Sequence, residues 1–372
     1  MLLDLIWNSD PVIFTLGNLK LRWSIIFLLG GILLGRYILT RSFKKNNLNP
    51  TDVNVIFNYV LLGALVGSRL FYFLLFEPKA FVSSPLHILF PFSWKEGFRF
   101  EGATEFSFTG ALIGFLLSLF LYSKIKNKSL SIYLNNSLSA FLVASLFIVV
   151  GNFFQSENYG TATNSGTGVQ FVNRMEKKLT SISCCVMRIP NGKNPLDMVT
   201  VKEGKVIAHE GTGYKPIIIY LFFSQGATEQ TVNEFLIGDV KAALYELPEL
   251  VFEPGNEPLH YTIFEEAKGK YTARIQTIGI ARHPIQLYEG LSLFLLLIFI
   301  FYFNKKYSKS MEKISAPTLY VISTICLVHF GLGFITVNKA VAPLLNLSAD
   351  QLICALLFAF STVIGTLSLR KS

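Results

Sequence analysis

Charge is what this sequence has least of. Of its 372 residues only 15% are Asp, Glu, Lys or Arg, whereas 51% are hydrophobic, 34 are Phe, and the mean hydropathy is +0.47. A chain so poor in charge does not match an ordinary soluble protein and points to a polytopic membrane protein. Cysteine is scarce as well. Of the four, Cys184 and Cys185 are neighbours, poor geometry for bridging each other, while Cys326 and Cys354 fall in apolar segments. That excludes a disulfide framework, and the spacing matches no zinc site, so no metal and no redox cofactor is expected. The N-terminus lacks a basic region, and Arg and Lys follow its first long apolar run where a cleavage site would have small residues, so no cleavable signal peptide is expected. Inverted internal repeats, the mark of many transporters, are missing too. The charge that does exist is basic, net +9. Its lysines and arginines cluster beside apolar segments, where orientation against a cytoplasmic leaflet explains them better than nucleic acid does.

What the chain does have is long apolar runs. The first nineteen residues, with Asp4, Asp10 and Pro11, are too short and acidic to span and read as an interfacial lead-in. Spans are expected at 21–39, 53–76, 106–122 and 130–154, each near the twenty residues a bilayer requires. Residues 77–106 read as a mixed loop lying partly on the membrane. Residues 155–281 then turn polar, with strand-like runs at 199–208, 216–223, 259–266 and 271–280. Between these, Thr231-Val-Asn-Glu234 looks like a capping box, followed by Val232, Phe235, Leu236, Val240, Ala243 and Leu244 at helical spacing. Further spans are expected at 286–303, 317–337 and 352–369. The expected fold class is a membrane all-α bundle of about seven transmembrane helices, with a small extracytoplasmic α/β head domain inserted between spans four and five. The divisions are 1–154, 155–281 and 282–372. Lysine-rich short loops fall on one side throughout, which sets the N-terminus and head outside and the C-terminus inside.

Polar residues inside or at the rim of such a bundle are expensive without a partner, so they are the candidates for function. Ile148 to Gly160 closes the fourth span with Asn152, Glu157 and Gly160, groups suited to orienting a lipid headgroup or to satisfying a helix end. Arg69 lies within the second span and is placed to face a cavity or to pair with Glu157 or Glu289. No other span carries a credible intramembrane charge, which speaks against a channel. Where the head returns to the membrane, Arg282-His-Pro-Ile-Gln-Leu-Tyr-Glu289 sets Gln286 and Glu289 on one side of a helix and Ile285 and Tyr288 together. Arg282 can hold a phosphate in bidentate fashion or anchor head to bundle; His283 reads as a structural hydrogen-bonding residue. Thr109-Gly110-Ala111, with Gly114 beyond, is a small-residue face for close helix packing.

These same stretches resemble the prolipoprotein diacylglyceryl transferase family. The likeness lies in Asp10-Pro-Val-Ile-Phe-Thr-Leu-Gly17, Gly67-Ser-Arg-Leu-Phe-Tyr72, Phe106-Ser-Phe-Thr-Gly-Ala-Leu-Ile-Gly114, Gly151-Asn-Phe-Phe-Gln-Ser-Glu-Asn-Tyr-Gly160 and Arg282 to Glu289, in the family's order. The resemblance implies transfer of diacylglyceryl from phosphatidylglycerol to the lipobox cysteine of a preprolipoprotein in a bacterial cytoplasmic (inner) membrane. It puts Asn152, Glu157 and Gly160 in the headgroup site, has Arg69 face the cavity, and makes Arg282, Gln286 and Glu289 the brace at the head–membrane junction. The chain departs from the family pattern at Thr109 (a histidine there), Ser24 (tyrosine), Val149 (arginine), Phe334 (arginine) and Asn338 (glutamate). Each lost stabiliser of developing charge costs of order a hundredfold or more. The alternative expectation is therefore a catalytically inactive relative, which binds a lipid, a lipoprotein or a membrane partner through an enlarged head.

Overall fold

The computed structural model describes residues 5–16, 19–83, 92–93, 99–100, 106–156, 158–186, 196–205, 209–266, 269–307, 316–337 and 347–370. The chain divides into two compact units. One comprises Met1–Leu21 with Phe153–Ile285, the other Arg22–Asn152 with Gln286–Ser372. The lead-in, grouped by sequence with the first four spans, thus belongs to the same unit as the polar segment.

The second unit is helical: α1 (Trp23–Lys45), α2 (Pro50–Phe76), α3 (Phe108–Ile125), α4 (Leu130–Gln155, whose last residues belong to the other unit), α8 (Ile285–Tyr307), α9 (Ala316–Leu332) and α10 (Ala349–Arg370). Six of these are long and apolar enough to cross a membrane, and α9 is a shorter apolar helix. α9 stops at Leu332, five residues before the expected end, and turns at Gly333.

Local chemistry explains the helix starts. Asn49 caps α2 by accepting from Thr51 N at 3.1 Å, with Pro50 following where its missing N–H costs nothing. Ser107 caps α3 by accepting from Gly110 N at 3.1 Å, while its own N–H donates to the Ser68 carbonyl of α2.

Glycines decide how α2 and α3 cross. A Cβ on Gly114 would stand 2.0 Å from the Gly63 carbonyl oxygen, and one on Gly67 would stand 2.5 Å from that of Gly110. Only bare backbones approach so closely, which bears out the small-residue face read at Gly110 and Gly114. At the end of the same helix pair Asp52, buried, accepts from Tyr122 Oη at 3.2 Å and meets Lys126 Nζ at 3.3 Å. α1 approaches α4 in similar fashion: a Cβ on Gly31 would press on Phe147 and the Ala144 carbonyl.

The other unit is an antiparallel sheet with helices. β3 (Leu196–Glu203), β4 (Tyr214–Phe223), β6 (His260–Glu266) and β7 (Lys270–Ile280) run in the order β6-β7-β4-β3, and the short β5 (Val251–Phe252) pairs with the end of β7. These match the four strand-like runs within a few residues. α5 (Asn173–Val186), with no clear sequence signal, packs Met175 and Leu179 into the core.

The expected cap shifts one turn. Thr228 is the N-cap of α6 (Glu229–Phe235), and the Thr231 hydroxyl returns the bond to the Thr228 N–H at 3.0 Å, a role assigned by sequence to Glu234. A π turn at Leu236–Val240 joins α6 to α7 (Lys241–Tyr245), and all six residues read at helical spacing are buried. The lead-in joins this unit through β1 (Leu5–Trp7), which pairs in parallel with β2 (Val169–Phe171), and through Trp7, whose ring centroid lies 4.4 Å from that of Phe153.

Candidate functional site

Of the candidates carried by the sheet-containing unit, Gly160 and Arg282 sit in one knot of backbone pairing. Gly160 N donates to the His283 carbonyl at 2.8 Å, His283 N to Thr161 O at 3.1 Å, and Arg282 exchanges backbone bonds with Val169. The Arg282 guanidinium is buried. Its Nε donates to the Glu249 carbonyl, its Nη1 to the Gly160 carbonyl at 3.1 Å, and its carbon lies 5.1 Å from the centre of the Tyr159 ring. Burial draws its pKa down from the usual guanidinium range, against the opposing pull of Tyr159 and Glu249. Two of its donors are committed to backbone carbonyls, so Arg282 ties the irregular chain around Gly160 to the segment that leads into α8. Arg174 meets the same ring from another side, donating to Tyr159 Oη at 3.0 Å and pairing with Glu249 at 3.4 Å. Glu157 lies outside the described residues, as do Asn338 and most of the 77–106 loop.

The helical unit holds the other candidates. Asn152 is half-buried in the last turn of α4, and among the described residues no hydrogen-bond partner engages its side chain. Its neighbour Gly151 faces α1, where a Cβ would come within 3.1 Å of Ser24 Cα. Arg69 is buried on α2 with its guanidinium 5.5 Å from the Phe73 ring and 5.7 Å from that of Phe106. Gln286 is buried in the first turn of α8, and Tyr288 is half-buried beside it.

Glu289, one turn further, meets a residue that the sequence reading passed over. His329 Nε2 stands 3.3 Å from Glu289 Oε1, at ion-pair distance with an angle short of a hydrogen bond, and both side chains are almost shielded from solvent. The imidazole stacks on Phe108, centroids 4.0 Å apart and planes at 15°. Thr109, the next residue, sits 3.4 Å by its hydroxyl from Cys354 Sγ of α10. The next residue, Gly290, faces α4: a Cβ there would stand 3.8 Å from Leu146 and 3.7 Å from Val149. The statement that only the second span carries an intramembrane charge is therefore corrected: α8 and α9 hold a carboxylate and an imidazole that face each other. The signal was present, since a histidine in an apolar helix is itself a functional flag. Phe334 lies just beyond α9, largely exposed and edge-on to Phe330. Among the described residues, no three His, Cys, Asp or Glu gather closely enough to hold a metal ion.

Residues 11–367 match the family model described as prolipoprotein diacylglyceryl transferase. The chain belongs to this family. Within it, the chain is 28% identical over 168 residues to the phosphatidylglycerol–prolipoprotein diacylglyceryl transferase of Tolumonas auensis, covering 45% of this chain and 61% of that protein. It is 31% identical over 169 residues to the enzyme of the same name from Rickettsia typhi, with the same coverage. With that from Chloroherpeton thalassium it shares 30% over 160 residues, 42% of this chain and 56% of the relative. The chain therefore spans about three-fifths of the length of the curated relatives it matches. In this diacylglyceryl transferase family member, Thr109, Val149 and Ser24 all lie in the helical unit, and the Glu289–His329 pair lies there with them.

Proposed function

We propose that the protein is a divergent phosphatidylglycerol–prolipoprotein diacylglyceryl transferase of the bacterial cytoplasmic membrane. The observation that carries the proposal is the family match over residues 11–367, which takes in both the Gly151–Gly160 stretch and the Arg282–Glu289 stretch. In the reaction, the lipobox thiol loses its proton and its sulfur bonds to the glyceryl carbon of the diacylglyceryl group. The bond from that carbon to the phosphate oxygen breaks, and glycerol phosphate leaves with the electron pair. Such a site must make a thiolate, stabilise a phosphate and admit lipid while excluding water.

Asn152, whose amide no described residue engages, and Arg69 in the helical unit, with Glu157 and Gly160 as the family resemblance implies, are the proposed headgroup-binding residues. Arg282, Gln286, Tyr288 and Glu289 form the proposed junction. α9 is the seventh span despite its length, which sets Met1 and the sheet-containing unit outside and Ser372 inside.

The test is to express the chain in a bacterium depleted of its own transferase. Growth, and diacylglyceryl-modified lipoprotein detected by mass spectrometry, are the expected results. A protein that reaches the membrane in normal amount and restores neither is an inactive relative. In an active chain Asn152→Ala lowers lipoprotein modification at least tenfold, as expected for removing one donor to a developing charge, with the protein level unchanged on a blot.

A further inference from the structure

We propose that His329 is the base that takes the thiol proton in this protein, and that Glu289 positions it. The assignment rests on the transferase reading and adds to it a named base. The chemistry needs a group that accepts a proton near neutral pH. Thr109, beside the stacked Phe108, has only a hydroxyl, which does not serve. The imidazole of His329 stands over the ring of the residue next to it, 4.0 Å away.

Three elements fix that ring. Phe108 at the start of α3 covers its face, Glu289 of α8 holds Nε2 at 3.3 Å, and α9 carries it in its last turn. Glu289 stands 3.3 Å from Nε2, a placement from which a carboxylate can orient a catalytic histidine and leave Nδ1 to accept the proton. A second carboxylate acts on the imidazole: Asp350, at the start of α10, has one carboxylate oxygen buried without a hydrogen bond among the described residues. A cluster of this kind inside an apolar bundle is costly unless it carries function. A purely structural ion pair would be replaceable by packed apolar residues.

The experiment uses the full chain in phospholipid nanodiscs, with phosphatidylglycerol and a synthetic lipobox peptide, and reads release of glycerol phosphate. His329→Ala and His329→Gln are each expected to lower kcat by about a hundredfold or more, with KM for the peptide held within threefold and the melting temperature close to that of the unaltered protein. Imidazole in the buffer is expected to restore at least tenfold of the His329→Ala loss, a readout that lost packing would not give. Glu289→Gln lowers kcat and spares KM, and Glu289→Asp recovers part of the loss. If the unaltered chain is active and both His329 variants keep its rate, the assignment is overturned while the transferase reading stands. It is equally overturned if a folded His329→Ala protein is slow and imidazole restores nothing. If the unaltered chain releases no glycerol phosphate, the transferase reading fails and takes this assignment with it.

Discussion

Arg282 shows how much one side chain can organise. Its guanidinium satisfies two backbone carbonyls, Glu249 and Gly160, in a buried setting and lies against Tyr159. Truncation to Ala would leave both acceptors unpaired, at about 1–3 kcal/mol for each buried group. Lys cannot reproduce the planar fork. Arg282→Ala and Arg282→Lys are therefore both expected to lower the melting temperature in detergent, and a Lys variant that melts like the unaltered protein would contradict this account. Glu176 gives a second residue-scale prediction. It accepts from Asn8 at 2.8 Å, joining the lead-in to α5, and burial pushes its carboxyl up to about 7, with the Asn8 bond opposing and Asp10 adding. The folded state therefore holds this proton more firmly than the unfolded chain does. Its stabilising contribution is full below the ordinary glutamate range and is lost as pH rises through about 7. Melting temperatures measured from pH 5 to pH 8 should fall in the unaltered protein and stay flatter in Glu176→Gln.

At the scale of elements, the closest packing in the helical unit is made by what is missing from four side-chain positions. Gly63 and Gly67 on α2 face Gly114 and Gly110 on α3, and no Cβ fits between them. Gly114→Ala forces the helices apart and is expected to cost about 1–3 kcal/mol, the range for overpacking. Gly238, in the π turn between α6 and α7, has nothing within 4 Å of where a Cβ would stand. Gly238→Ala is thus expected to raise stability by roughly 0.5–1 kcal/mol, through the helix preference of alanine over glycine. Paired thermal melts distinguish the two. If both substitutions behave alike, the crossing does not depend on bare backbone.

For the whole molecule, the basic clusters carry an expectation about orientation. Lys124 at the end of α3, with Lys126 and Lys128 after it, is expected on the cytoplasmic face, and the sheet-containing unit is proposed to be extracytoplasmic. With Cys184 and Cys185 changed to serine, a cysteine at exposed Lys202 should react in intact cells with a membrane-impermeant maleimide. One at exposed Lys128 should react only after the cells are opened. The reverse pattern would invert the topology.

The amino-acid sequence by itself determined where the apolar helices, the strand runs and the buried face of α6 and α7 lie, because each is a local matter of period and composition. Thr109-Gly110-Ala111 was legible as a packing face for the same reason. Tertiary structure alone decided which glycines of α2 meet that face, which carbonyls Arg282 would hold, and that Glu289 would find His329. Those partners lie on segments far apart in the chain, where periodicity carries no information. Burial in an apolar bundle then makes a facing acid and imidazole far more consequential than either is when read along its own helix.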